Sequence, residues 1–369
     1  MSLRIAFFLP ALDDGGVQKV FVTLANHLSQ TVSVDFVLAN ATGPHLANLH
    51  PRVNVVDLGQ AHAAAAFFGL GRYLRQQRPA ALLSGMSNAN LTAILAGTFF
   101  SRSCKVILTQ HVNWSQVLAN QPTRKEWLVY QLSKIVYPLA ARIVAVSSGI
   151  AAEIQGMRNV RPERVRRIQN PVVTPEMREL ARQPATHPWL RAKNGPILLG
   201  IGRLVPQKDF ATLIRAFQRV QAATGARLII FGEGPERSQL EALIRKLDLV
   251  ESVDLPGFQS NPYACLARAD LFVLSSRFEG LPTVLIEALA CGTPVVATDC
   301  PTGPAEILEN GEYGNLVPVG EVESLAKAIL EQLNHPVSRE KLQQRAQLYS
   351  VETVSQAYLE LIAQAVASQ

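Results

Sequence analysis

Pro196-Ile197-Leu198-Leu199-Gly200-Ile201-Gly202-Arg203-Leu204-Val205-Pro206-Gln207-Lys208-Asp209 reads as a buried strand that ends in glycine, turns through a short cationic loop and opens a helix. An apolar run of this length, bounded by turn residues, marks a strand covered on both faces, as in a parallel sheet. Downstream the alternation continues: helix 208–222, strand 226–231, helix 235–247, strand 270–275, helix 283–290 and strand 294–298. Upstream, strands are expected at 3–10, 33–39, 53–58, 80–84, 105–110 and 142–147. A helix at 16–30 carries Val17, Val20, Phe21, Leu24 and Leu28 on one face. Alternation of this kind implies parallel sheets with helices on both faces. The expected fold class is therefore α/β, with two doubly wound, Rossmann-like domains facing across a cleft. In such sheets ligands bind beyond the carboxyl ends of the strands.

Between about 158 and 195 the texture changes, because Pro162, Pro171, Pro175, Pro184 and Pro188 crowd with Arg, Asn and Thr and oppose long regular elements. The expected organisation is a first domain over 1–175, a linker over 176–195 and a second domain over 196–350. A last helix at 351–366 carries Val354, Ala357, Tyr358 and Leu361 at helical spacing. A chain of 369 residues suits two cores better than one. Hydrophobic residues at 48% against 17% charged exclude a disordered chain. Cys104, Cys265, Cys291 and Cys300 form no C-x-x-C pair, too sparse a set for a disulfide framework or a cysteine zinc site, and they suit a reducing, cytoplasmic compartment. The opening Leu3–Pro10 holds an arginine and runs into Asp13-Asp14, so it reads as a first strand and not as a secretory segment. No apolar run reaches the roughly 18 residues of a membrane span. The net charge of +6 favours anionic partners. Without zinc-finger spacing or an RNP-like aromatic strand, nucleic acid is not expected among them.

In the opening loop, Arg203 offers a bidentate fork and Lys208 a point charge. Together they suit a diphosphate leaving group, whose departure needs fixed positive charge. The plain alternative is two solvated cations around a turn. Ser275-Ser276-Arg277-Phe278-Glu279-Gly280-Leu281-Pro282-Thr283-Val284-Leu285-Ile286-Glu287 says more. Gly280 permits a tight turn, Pro282 suits a first helical turn, and the free N–H groups of a helix start can hold an anion. Glu279 before the helix and Glu287 within it can accept hydrogen bonds from sugar hydroxyls. Against this stands a reading of one exposed glutamate and one cap-like acid. Gly15 and Gly16 open a helix after the first strand, where backbone without Cβ can approach a phosphate or an acceptor, or form a plain turn. His111 ends the strand 105–110, and a lone histidine is more often structural.

Taken in order, Gly202-Arg203-Leu204, Lys208, Phe278-Glu279-Gly280-Leu281-Pro282 and Glu287 resemble the retaining glycosyltransferases of family 4, which have the GT-B fold. Gly232-Glu233-Gly234-Pro235, Gly257-Phe258, Ala290-Cys291-Gly292-Thr293-Pro294 and Gly303-Pro304-Ala305-Glu306 extend the match over nearly the whole second half. Asp14-Gly15-Gly16 and Val144-Ala145-Val146-Ser147-Ser148 carry it into the first. The resemblance implies that Arg203 and Lys208 bind the donor diphosphate, Glu287 the ribose and Glu279 the transferred sugar. Gly16, Gly202, Gly280, Leu281, Pro282 and Thr283 would line the donor, with backbone at Gly257 and Phe258 meeting the base. His111 would contact the donor sugar, not act as a general base. The family's final helix crosses back onto the first domain, which fits 351–369. The first domain would bind the acceptor, the second the nucleotide-sugar. No metal or other cofactor is expected, the nucleotide-sugar being a co-substrate and UDP the commonest nucleotide.

Arg72, Arg75 and Arg78 recur at helical spacing beside Phe67, Phe68 and Tyr73, either as a solvated face or as contacts to a lipid-linked acceptor's diphosphate at the inner membrane surface. A second candidate for that surface is 124–138, where Arg124, Lys125 and Lys134 accompany Trp127, Leu128, Tyr130, Leu132 and Tyr137. Acceptor contacts are expected from Gly15, Arg72 and Arg75, and the acceptor itself is a glycan or a lipid-linked glycan. A sugar-nucleotide epimerase of the same architecture and a non-catalytic sugar-nucleotide binder remain as rivals.

Overall fold

The computed structural model describes residues 3–119 and 122–367. The chain forms two compact units, Met1–Pro171 with Val351–Gln369, and Val172–Ser350.

In the first unit the strands are β1 (Arg4–Leu9), β2 (Ser33–Leu38), β3 (Val53–Asp57), β4 (Ala81–Gly85), β5 (Lys105–Gln110), β6 (Arg142–Ala145) and β7 (Val165–Arg167). All pairings are parallel, in the order β3-β2-β1-β4-β5-β6-β7. Phe7 on β1 stacks with Phe36 on β2 and meets Phe21 edge-on, both at 5.6 Å between centroids. That places the helix Gly16–Leu28 on one face of the sheet, with Phe21, Leu24 and Leu28 fully buried. The last helix, Val351–Ala367, contributes Val354, Tyr358, Leu361 and Ile362 to this same core, so its apolar stripe explains why the chain ends in the unit where it began.

In the second unit β8 (Ile197–Ile201), β9 (Arg227–Phe231), β10 (Val253–Gly257), β11 (Leu271–Leu274), β12 (Val295–Thr298) and β13 (Asn315–Val317) form a parallel sheet in the order β10-β9-β8-β11-β12-β13. Both units are doubly wound.

Three strands escape the sequence pattern: β7, β10 and β13. Each is an edge strand, with the exposed Arg166 and Arg167 in β7, Pro256 in β10 and three residues in β13. A strand with one free side needs no continuous apolar run, and proline is tolerated there. The stretch expected as a linker, 176–195, is instead part of the second unit and holds the helices Pro175–Arg182 and Pro188–Arg191. Pro175 and Pro188 stand at the first positions of these two helices, where the missing N–H would have had no partner. The helix expected from 208 begins at Phe210, after Asp209 turns left-handed (φ 47°) and accepts the Thr212 N–H.

Candidate functional site

The order of the second sheet reverses between β8 and β11. From β8 the chain winds toward β9 and β10, and from β11 toward β12 and β13. The loops that follow these two neighbours must part, and the crevice left beyond their carboxyl ends is where doubly wound sheets bind ligands. Those loops carry Arg203 and Lys208 on one side and Glu279 on the other.

Lys208 Nζ donates to Glu279 Oε1 at 2.6 Å, with side-chain exposures of 17% and 8%. The same oxygen accepts Ser276 Oγ–H at 2.6 Å. Around this pair the loops are laced together. Ser275 Oγ donates to the Lys208 carbonyl at 2.8 Å, Gln207 Nε2 to the Phe278 carbonyl at 2.9 Å, and the Arg277 N–H to the Gln207 carbonyl at 2.8 Å. From beyond β12, the Glu279 N–H bonds the Pro301 carbonyl, and Thr302 Oγ1 donates to the Gly280 carbonyl at 3.0 Å. The carboxylate is thus held from two loops, and the backbone that carries it is pinned by a third.

The loops after β8, β9 and β10 close the other flank. A Cβ on Gly232 would lie 1.9 Å from the Gly202 carbonyl oxygen, so only glycine lets these two turns touch. Against Gly202 itself lies the aliphatic stem of Lys208, whose Cε would be 3.2 Å from an added Cβ. Arg203 projects to solvent and makes no ion pair among the described residues. Pro282 precedes the helix Thr283–Cys291 as its cap, one position ahead of the first turn where the sequence places it, and no side chain caps that start. Leu281 and Pro282 are buried, while Gly280 and Thr283 are partly open. On that helix Glu287 is buried and accepts Tyr263 O–H at 3.4 Å. Gly257 ends β10 at φ 89°, and Phe258 beside it is 80% exposed, an apolar ring with no cover in its own unit. Ser276, Tyr263 and Thr302 were not singled out from the sequence. Ser276 alone left a signal there, as a hydroxyl three residues from Glu279.

In the first unit the sheet reverses between β1 and β4. Gly15 caps the helix that follows β1, and no side chain serves that cap. A Cβ on Gly15 would meet Gln18 Oε1 at 2.3 Å, whereas one on Gly16 would meet nothing within 4 Å, so packing does not account for that second glycine. After β5, His111 lies 3.2 Å from Thr109 Oγ1 and 6.2 Å from the Phe21 ring. Burial pushes its imidazole down to about 4, so it is neutral at physiological pH and serves as a hydrogen-bonding group. His111 lines a hollow of about 410 Å³ with Val17, Met86, Ser87, Trp114 and Lys125. Met86 sits there at φ 74°, a strained conformation for a side chain with a Cβ, at the start of the helix Ser87–Phe100.

Arg72 and Arg75 do not join this group. They lie exposed on the helix Phe67–Gln77, and the Arg75 guanidinium stands 4.9 Å over the Phe100 ring, at the end of Ser87–Phe100 remote from His111. In the second cationic segment, the helix Arg124–Val136 exposes Trp127, Leu128 and Leu132. Tyr137 is instead fully buried and donates to Gln110 Oε1 at 2.8 Å.

Residues 183–349 match the family described as Glycosyl transferases group 1, and residues 14–175 match Glycosyltransferase Family 4. The chain is similar to the N-acetylgalactosamine-N,N'-diacetylbacillosaminyl-diphospho-undecaprenol 4-alpha-N-acetylgalactosaminyltransferase of Campylobacter jejuni, 28% identical over 357 residues and 93% of each chain. Its structure is similar to a glycosyltransferase from Rickettsia africae (TM-score 0.82, 16% identity, 100% of both chains). It is also similar to Anabaena HepE in complex with UDP and glucose (TM-score 0.76, 21% identity, 98% of this chain and 100% of that one). At these identities the structural likenesses speak for the fold.

Proposed function

Since the chain belongs to the family 4 glycosyltransferases and has the GT-B fold, we propose that it moves a sugar from a UDP-sugar to a hydroxyl of a glycan carried on a lipid diphosphate, with retention of configuration. The observation that carries the reading is the Lys208–Glu279 pair at the strand-order reversal of the second sheet. An ammonium and a carboxylate, both largely out of water, stand where a diphosphate and a sugar would need one each.

In this reading the donor diphosphate takes Lys208 from Glu279, and Arg203 closes on it from solvent. Glu279, still held by Ser276, turns its lone pairs to a hydroxyl of the transferred sugar. Glu287 accepts from the ribose, and backbone at Gly257 and Phe258 meets the base. The two cations stabilise charge as the glycosidic bond to phosphate breaks. The departing phosphate takes the acceptor proton, and the acceptor enters on the same face. Removing either cation should then cost about 3 kcal/mol of transition-state stabilisation, a factor of roughly a hundred in turnover. Gly16 and His111 supply further donor contacts and Gly15 an acceptor contact. The transfer uses side-chain cations where other transferases use a metal.

The Campylobacter relative is named for a diphospho-undecaprenol substrate, and the Anabaena structure holds UDP and glucose. The first supports a lipid-linked acceptor here and the second a UDP-sugar; with such an acceptor the chain would work as a peripheral partner at the cytoplasmic membrane face. Among the described residues no helix is long and apolar enough to cross a membrane. The test is a panel of sugar nucleotides screened for thermal stabilisation. Transfer to a lipid-diphosphate glycan, with the anomeric configuration of the product read by NMR, follows. No stabilisation by any UDP-sugar would defeat the donor assignment. A free epimerised sugar formed without acceptor would move the chain to the epimerase class.

A further inference from the structure

The helix Arg124–Val136 presents an apolar stripe away from the protein. Leu128, Leu132, Ile135 and, just beyond the helix, Leu139 recur at helical spacing and are 52%, 40%, 71% and 56% exposed. Val129, Ser133, Val136 and Ala140, one position on, form the inward edge. A stripe of this length that faces water on a folded unit marks a surface meant to be covered.

The two ends of the stripe lead to different places. At its start, Thr123, Lys125, Glu126 and Val129 line the hollow beside His111. At its end, Leu139 lines a second hollow of about 620 Å³ at the opposite, amino-terminal end of β5 and β6, about 20 Å away by the rise of a strand. Arg102, Lys105, Arg142, Arg161 and Arg164 line this second hollow against one acid, Glu163. Arg164 Nη1 donates to the Pro138 carbonyl at 2.8 Å and so pins the turn that carries Leu139. Arg102 and Arg161 are exposed and make no ion pair among the described residues. On the far rim Phe99 follows the lining residue Thr98, and Phe99 and Phe68 are 69% and 74% exposed.

We propose that the first unit docks on an anionic phospholipid bilayer. The stripe Leu128–Leu139 enters the interfacial layer, and a headgroup phosphate sits in the hollow between Arg102 and Arg161. A protein partner would not account for five cations gathered where two apolar outcrops meet, whereas apolar side chains flanked by cations are what an anionic lipid surface binds. The proposal deepens the lipid-linked-acceptor reading. A helix lying along the bilayer opens the His111 hollow, with Lys125 on its rim, to a lipid diphosphate, and headgroup binding stays at the other end of the sheet.

The test is co-sedimentation of the full chain with vesicles of phosphatidylcholine alone and of phosphatidylcholine with about one third phosphatidylglycerol. Wild type should bind the anionic vesicles far better, and less well as salt rises. Arg102→Gln/Arg161→Gln should weaken that binding about thirtyfold. Leu132→Ser/Ile135→Ser should reduce it at least tenfold. All four positions are exposed, and unchanged thermal melts check the fold of each variant. Equal binding to both vesicles, variants that bind like wild type, or a dimer closed through the stripe that ignores vesicles would each overturn the proposal. So would release from anionic vesicles by inorganic phosphate at constant ionic strength, which would assign the hollow to a soluble anion. Transfer to a soluble acceptor analogue, measured alongside, should be unaffected in both variants. Vesicle binding that persists in a protein showing no transfer at all would remove the transferase reading and leave the docking in place.

Discussion

Replacing Lys208 by methionine keeps the stem that packs over Gly202 and removes only the ammonium. The Glu279 carboxylate, at 8% exposure, then retains Ser276 Oγ at 2.6 Å as its side-chain donor. Removing one partner of a buried pair costs about 3–5 kcal/mol. Here the hydroxyl remains and Lys208 is 17% exposed, so the expected loss is about 2–3 kcal/mol. Glu279→Gln strands only the better-solvated partner and should cost about 1 kcal/mol. In the double variant no charge is left unpaired, and a loss of about 1–2 kcal/mol implies a coupling near 2 kcal/mol. Urea unfolding of the four proteins without nucleotide measures it. Calorimetric titration of UDP supplies the functional arm. Lys208→Met should weaken UDP binding by about 10–100-fold, the worth of a charge-assisted hydrogen bond. Glu279→Gln should leave UDP binding equal or tighter, because the carboxylate no longer competes for the ammonium, while turnover collapses. A coupling below about 0.5 kcal/mol, or unchanged UDP affinity in Lys208→Met, would refute the idea that one ammonium serves carboxylate and diphosphate in turn.

The lowered pKa of His111, about 4 against 6.5, sets a pH dependence. The folded protein leaves this ring neutral while the unfolded chain protonates it below 6.5. Stability is therefore full above that value and declines as pH falls toward 4, by about 2–3 kcal/mol for a partly exposed ring. His111→Gln should flatten that slope in urea titrations run at successive pH values. Gly16→Ala should leave stability equal or raise it by up to about 1 kcal/mol, since the added methyl meets no atom, yet lower turnover if a ligand uses that space. A melt and a transfer assay on the same sample decide, and full activity would return the glycine to a plain helix start. Chelation by EDTA should leave initial rates unchanged, and a loss restored by one divalent ion would displace the two-cation account.

The alternation of apolar strands and amphipathic helices was legible from Leu3 to Thr298 because central parallel strands are buried on both faces and must be apolar throughout. That constraint is local and visible in the residue string. It lapses at sheet edges, where β7, β10 and β13 have one free side, and in the proline-rich 176–195, whose short helices depend on capping and on packing within the second unit. The candidate site divides in the same way. Glu279, Lys208 and Arg203 stand out as charges in loops between buried strands, where a fixed charge needs a reason. Their meeting at 2.6 Å depends on which strands become neighbours, β8 beside β11, and no spacing along the chain encodes that adjacency.

The two basic stripes show the remaining difference. Their residues were plain in the sequence, as helical periods of arginine, lysine and aromatic side chains. Helical period says which side chains share a face, and it leaves open whether that face looks inward or out. Only the fold decided that Tyr137 goes inside to Gln110, that Leu128, Leu132 and Ile135 look out, and that Arg75 ends remote from His111. Sequence by itself determined the class of fold and the chemistry on offer, because burial on both faces and charges placed in loops are properties of single segments. Which segments meet, and so which charges share a site, was decided by the order of strands in the finished sheets.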